Sequence, residues 1–290
     1  MPKFNDFHPL TNLSFFLFAV LLTISTAHPI ILTASLLLSL VYDYILRGKT
    51  SIKMNLIFVL PTVILIILIN FIFSHHGVTT LFTSESGVNY TLESLVTGVV
   101  TAVKFSAIVV WFFALSVILN EEKIIFLFGR VSPKIALVIS MSLRFMPLML
   151  SQYEQIAQAQ KGLGKAQDNK KIIKKIKQII RNISILITWQ LERAIETSNS
   201  MTARGYGLKG KTKYNKFKFT GADFTFINLY LVSLCVYLAA RFKGGLFAFY
   251  TPIIMISHEG VFSVLAIALF IAVCLSPIFI DSRKQHNDTI

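Results

Sequence analysis

The residues of this chain best placed for chemistry argue, on inspection, against catalysis. Gly205-Tyr206-Gly207-Leu208-Lys209-Gly210-Lys211-Thr212 matches the GxxxxGK[ST] spacing of a phosphate-binding loop. That chemistry needs a strand before the loop and a helix after it, so that free backbone amides and a helix N-terminus face the phosphates. Here a long helical pattern precedes the loop, and Lys213-Tyr214-Asn215-Lys216-Phe217-Lys218 follows with no helical apolar period. No acidic strand end is placed to hold magnesium. His75-His76 is the sole histidine pair; neighbouring side chains in an extended loop point apart, and no third ligand lies near. Cys235 and Cys274 sit in apolar runs without a second cysteine or a histidine at ligand spacing, and read as packing residues with no disulfide and no metal. There is no HExxH and no serine–histidine or serine–lysine arrangement in the apolar runs. The sequence therefore predicts a non-catalytic protein with no cofactor.

Three charged positions lie in apolar surroundings. Lys104 interrupts the run 92–119. A charge at mid-membrane costs about 2.5–3.5 kcal/mol, so Lys104 either snorkels to the outer edge or faces a partner subunit or polar cleft. Asp43 has Arg47 one helical turn on, the spacing of a local pair near the inner surface. Arg144 precedes Pro147; it either anchors its helix at headgroup level or pairs with a carboxylate such as Glu154 or Glu192.

The elements that position these residues belong to a membrane protein. The chain has 290 residues, 54% hydrophobic and 14% charged, with mean hydropathy +0.66, against about 25% charged residues in soluble domains. Apolar runs at 13–27, 30–46, 55–74, 92–119, 224–240 and 261–280 predict six spans, the first an uncleaved span rather than a signal peptide, with Pro61 a candidate kink in the third. The stretch 246–256 is a short apolar piece of unassigned depth. Fifteen of the 28 Lys and Arg residues fall between Lys161 and Lys218, beside only Asp168, Glu192 and Glu196. Loops with basic residues face the cytoplasm, which puts both termini there; Arg241 and Lys243 are a small violation. No internal repeat is evident.

Between the fourth and fifth spans the pattern changes. Pro133 to Leu163 reads as one helix, apolar at first and glutamine-rich after Pro147, where a bend is expected, and stopped by Gly162-Leu163-Gly164. A second helix begins near Ile172. Its apolar positions, Ile172, Ile176, Ile179, Ile180, Ile183, Ile187, Leu191 and Ala194, hold 3.6-residue spacing over six turns. It ends at Ala203-Arg204-Gly205, with glycine in the position that tolerates positive φ and Arg204 at the negative end of the helix dipole. Two readings stay open: the helices pack on each other and the spans, or their tips dock a soluble partner in a groove. A basic block also suits nucleic acid, but the isoleucine face suits protein or membrane, so no nucleic acid is expected.

Taken in order, Ser142-Leu143-Arg144-Phe145-Met146-Pro147, Ala159-Gln160, Glu192-Arg193-Ala194, Met201-Thr202-Ala203-Arg204-Gly205-Tyr206 and Gly210-Lys211-Thr212-Lys213-Tyr214 resemble the transmembrane T component of energy-coupling factor (ECF) transporters. The related subunit of cobalt and nickel importers belongs to the same family. The resemblance implies an all-α polytopic membrane protein of about six spans with two long cytoplasmic coupling helices, in a prokaryotic cell membrane. It implies a scaffold for an ATP-binding cassette importer of vitamins or metal ions. The partners would be two ABC-type ATPase subunits, a small substrate-binding membrane subunit and the lipid bilayer. The domains would be 1–132, 133–219 for the coupling helices, and 220–290. Ala203, Arg204 and Gly205 match the family's second docking tip. The first departs: Leu163, followed by Gly164, stands where an arginine is usual, with Lys161 two residues earlier as a different kind of cation. Arg144 and Pro147 would serve as anchor and bend. The alternative is a self-sufficient permease or channel.

Overall fold

A computed structural model describes residues 4–74, 77–83, 89–164, 172–208, 217–251, 253–257 and 260–287. His75-His76 and the Gly210–Tyr214 stretch lie outside them. In chain order the helices are α1 (Pro9–Ser25), α2 (Pro29–Arg47), α3 (Lys49–Met54), a π-helical turn (Asn55–Val59), α4 (Leu60–Phe73), α5 (Leu92–Ile118), α6 (Glu121–Val131), α7 (Pro133–Gly162), α8 (Ile172–Ala203), α9 (Gly221–Phe242) and α10 (Val261–Asn287). There are two small hairpins, β1–β2 (Thr80–Thr83 with Asn89–Thr91) and β3–β4 (Ala248–Phe249 with Met255–Ile256), the second in the stretch read as a short apolar piece. The fold is all-α and polytopic.

The chain forms two compact units: Met1–Ile124 with Phe217–Ile290, and Ile125–Lys216. The first is a helical bundle. His8-Pro9 and His28-Pro29 each open a helix, where proline's missing N–H costs nothing. α1 lies at its centre, with Phe15, Phe16, Phe18, Ala19 and Leu22 all buried. Trp111 of α5 is fully buried; its ring centroid lies 5.5 Å from that of Phe15, and its indole N–H donates to Ser35 Oγ at 3.0 Å. Ser35 in turn bonds the Thr23 hydroxyl at 2.8 Å. Small residues let helices approach: a Cβ on Gly98 would meet Asn70 Cβ at 3.0 Å.

α4 is the most apolar helix and has no buried residue. That inversion suits a helix solvated by lipid, where only the backbone must be satisfied internally. Pro61 does not stop it. The π-helical turn just before Pro61 widens the ladder where proline has no N–H to give and its ring crowds the preceding carbonyl.

Among the described residues six helices are long and apolar enough to cross a membrane by length and composition, in keeping with the expected number of spans. α1, at 17 residues, is about 25 Å long, at the lower limit for a span; the chain before it meets Asp281 of α10, and Ser25 at its far end bonds Tyr237 near the other end of α9. α7 qualifies through its apolar first half. The Phe4 N–H donates to Asp281 Oδ1 of α10 at 2.8 Å, so Phe4 and the last turns of α10 meet at one end of the bundle. The predicted Asp43–Arg47 pair forms at that end, at 3.5 Å. Arg47 also donates to the Phe113 carbonyl at 2.6 Å, joining α2 to α5, while Ser51 and Asn55 donate to Asp43. Cys274 is buried as expected for packing; Cys235 is exposed on α9.

Candidate functional site

The unit Ile125–Lys216 contains α7 and α8, 30 and 32 residues long. Their contact is local. Only Gln152 and Ile156 are buried on α7, and only Asn182 and Leu186 on α8. Two helices that touch over one patch in mid-length cross rather than lie side by side. The crossing is partly polar: Gln190 Nε2 donates to Gln152 Oε1 at 2.5 Å. The sequence reading did not single out these residues. Asn182 offered a signal, as a lone amide three residues after Ile179 and four before Leu186 on an apolar face.

Because the contact is small, the isoleucine stripe is left uncovered within this unit. Ile172, Ile176, Ile179, Ile180, Ile183, Ile187 and Leu191 are all exposed. Near the crossing, Phe145, Met149 and Tyr153 of α7 face Ile179, Ile183 and Leu186 of α8 across an apolar groove.

Both helices end in exposed caps that share one returning amide bond and a glycine at positive φ. On α8 the Tyr206 N–H returns to the Met201 carbonyl at 2.9 Å and the Gly205 N–H to Thr202 at 3.0 Å, with Gly205 at φ +82°. That bond pair is a Schellman cap, in which Arg204 is the C-cap residue and Gly205 takes the left-handed position. On α7 the Gly164 N–H returns to the Lys161 carbonyl at 3.0 Å and Gly164 has φ +66°, which makes Leu163 the C-cap residue. Gly162-Leu163-Gly164 and Ala203-Arg204-Gly205 are thus structurally equivalent tripeptides, a small residue before the cap and a glycine after it. Leu163 is 66% exposed, an unfavourable place for an isolated leucine. Lys161 and Arg204 are exposed near the negative ends of their helix dipoles.

The same hydrogen bonds rule against a nucleotide at Gly205–Leu208. The amides of Gly205, Tyr206 and Leu208 are spent on the carbonyls of Thr202, Met201 and Gly205. They close a helix and do not face outward as a phosphate cradle requires. α7 runs on through Pro147 as one helix. Arg144 is exposed and forms no ion pair among the described residues, so neither Glu154 nor Glu192 is its partner. Lys104 is half-buried in the first unit, where the charge closest to it in effect is another cation, Arg241.

Fold and site together define a class: a polytopic α-helical membrane protein carrying two long crossed helices with matched, solvent-facing caps. The sequence model of the CbiQ family, described as cobalt transport protein, matches residues 5–214, well over half of the chain. The chain belongs to that family. It is similar to the energy-coupling factor transporter transmembrane protein EcfT of Bacillus selenitireducens, 32% identical over 113 residues, which are 39% of this chain and 42% of that protein. The EcfT proteins of Bacillus subtilis and Streptococcus thermophilus are each 36% identical, over 110 and 91 residues, covering 38% and 31% of this chain and 40% and 34% of theirs. The matched stretch thus spans about two fifths or less of the length of each of these relatives.

Proposed function

We propose that this protein is the transmembrane coupling subunit of an ECF-type ABC importer, transmitting conformational change from two ATPase subunits to a small substrate-binding membrane subunit for uptake of a vitamin or metal ion. One observation carries the reading. Two long crossed helices end in exposed caps that share a returning amide bond and a positive-φ glycine, so one protein presents two similar tips, as two related ATPase subunits would require. Ala203, Arg204 and Gly205 form the second docking tip, and Lys161, Leu163 and Gly164 the first. The uncovered isoleucine stripe and the groove between α7 and α8 are the apolar surface a membrane-embedded partner or lipid would cover.

The reading assigns no catalysis to this chain; ATP is hydrolysed in the partners. The bundle end with Arg47, Lys49, Lys53 and Lys123 faces the cytoplasm of a bacterial cell, together with both termini and the basic helices. Residues 133–219 form the coupling region between membrane-spanning portions 1–132 and 220–290, with Arg144 and Pro147 as anchor and bend. Co-purification tests the assignment. Tagged protein drawn from its native membrane should bring ABC ATPase subunits with it, and their absence would sink the proposal. Substrate flux through liposomes holding this chain alone would favour a self-sufficient permease instead.

A further inference from the structure

The chain leaves the bundle after Ile124 and rejoins it at Phe217. Both crossings are gripped by one short segment of the N-terminus that spans nothing itself. On the departing side Lys123, 3% exposed, donates from Nζ to the Asn5 carbonyl at 2.6 Å and to Asn5 Oδ1 at 2.7 Å. On the returning side Asp223, 1% exposed, accepts at Oδ1 from the His8 N–H at 3.0 Å and the Thr11 hydroxyl at 2.9 Å. Its other oxygen accepts from the Thr220 N–H at 2.9 Å and the Thr220 hydroxyl at 2.6 Å. The His8 ring meets the Phe219 ring edge-on, with centroids 5.3 Å apart. Between these two grips the Phe4 N–H holds Asp281 of α10, whose second oxygen accepts from the Tyr42 hydroxyl of α2 at 3.4 Å.

This is more than helix packing requires. Charged groups at Lys123 and Asp223 are buried, and Asp281 is half-buried, against a segment only eight residues long, and each is matched by a backbone or side-chain group of that segment. Burying such groups costs free energy unless they are hydrogen-bonded, so their mutual satisfaction makes the segment hard to detach piecemeal.

We propose that Phe4–Thr11 is a tie that fixes the departing and returning crossings to each other and to α10 and α2, so that a displacement of residues 125–216 reaches the bundle as one movement. Lys123, Asp223 and Asp281 are its positioning residues. The transmission half of the proposal rests on the coupling role proposed above; the tie itself does not.

Two measurements separate them. In the purified full-length chain, Lys123→Met should speed amide exchange about tenfold in the peptide covering residues 219–224, across the tie and almost a hundred residues away in sequence. Thr11→Val, a milder change that removes one bond to Asp223, should speed exchange around Lys123, and Lys123→Arg should restore protection. Unchanged exchange in both loosened variants overturns the tie. In the complete importer in proteoliposomes, the loosened variants should move about fivefold less substrate per ATP hydrolysed, at equal abundance of the complex. Faster exchange with an unchanged ratio overturns transmission through the tie. A wild-type assembly with no ATP-dependent uptake overturns the coupling reading instead, and the exchange data still decide the tie.

Discussion

Leu163 and Arg204 occupy the same backbone position on two different helices: each is a C-cap residue followed by a glycine of positive φ. Backbone geometry is shared while side-chain chemistry is not. A planar guanidinium presents a fork of donors, whereas leucine presents only apolar surface. Under the proposed coupling role the two tips would therefore dock by unequal means, Arg204 by charge and hydrogen bonding, Leu163 by shape, with Lys161 two residues before it.

The asymmetry predicts different sensitivities. Arg204→Glu should lower ATPase recovery in quantitative co-purification by about tenfold or more, equivalent to ~1.4 kcal/mol, while the protein still inserts in the membrane. Leu163→Arg should keep or improve recovery, because the cap already presents that position outward. Equal loss in both variants would refute unequal docking.

The caps themselves are testable. Gly205→Ala puts a Cβ on a residue at φ +82°, 3.1 Å from Leu208 Cδ1. Left-handed backbone costs a non-glycine residue about 1–2 kcal/mol. Gly164→Ala meets no atom within 4 Å and bears the backbone cost alone. Amide exchange of Gly205 and Tyr206 should accelerate in the first variant, and more than the corresponding change at Gly164 in the second. Unchanged protection in the Gly205→Ala protein would count against the cap.

The polar crossing should show the asymmetry of buried hydrogen bonds. Gln190→Ala removes the donor that Gln152 Oε1 accepts from at 2.5 Å, which should cost about 1–3 kcal/mol. Replacing both Gln152 and Gln190 by leucine should be much closer to neutral. Limited proteolysis of α7 and α8 in detergent distinguishes the cases, and a double variant at least as labile as the single one would contradict this account.

Lys123 links stability to pH. Burial pulls its ammonium down from 10.5 to about 8, partly opposed by Asp6. Between those values the unfolded chain holds a proton that the folded chain has released, so stability rises with pH through the window. The cost of the buried charge is fully present below about 8. The Tm of the wild type should therefore gain on that of Lys123→Met as pH rises from about 8 towards 10.5. Parallel Tm curves would show that Lys123 keeps an ordinary pKa.

Much of this protein is legible in one dimension. Apolar runs long enough for a bilayer, the glutamine-rich turn after Pro147, the 3.6-residue isoleucine stripe and the glycines after Leu163 and Arg204 all act locally, through periodicity and backbone freedom. So α7 and α8 end within a residue of where pattern alone puts them. Local rules do not reveal which apolar face is covered. The isoleucine stripe looks like a surface for α7, yet the helices meet only around Gln152, Ile156, Asn182 and Leu186. Hydropathy shows the same limit: α1, only 17 residues long, carries the buried aromatic centre, whereas α4, the most apolar, buries nothing. In a bilayer, lipid and protein interior are equally apolar, so hydropathy cannot tell them apart. Only packing does. The tie of Asn5, His8 and Thr11 to Lys123 and Asp223 is the extreme case, since its partners lie 118, 215 and 212 residues apart. Sequence specified the elements and their ends through local hydrogen bonding and periodicity; tertiary structure alone decided which charges are buried together, because that depends on where distant segments meet.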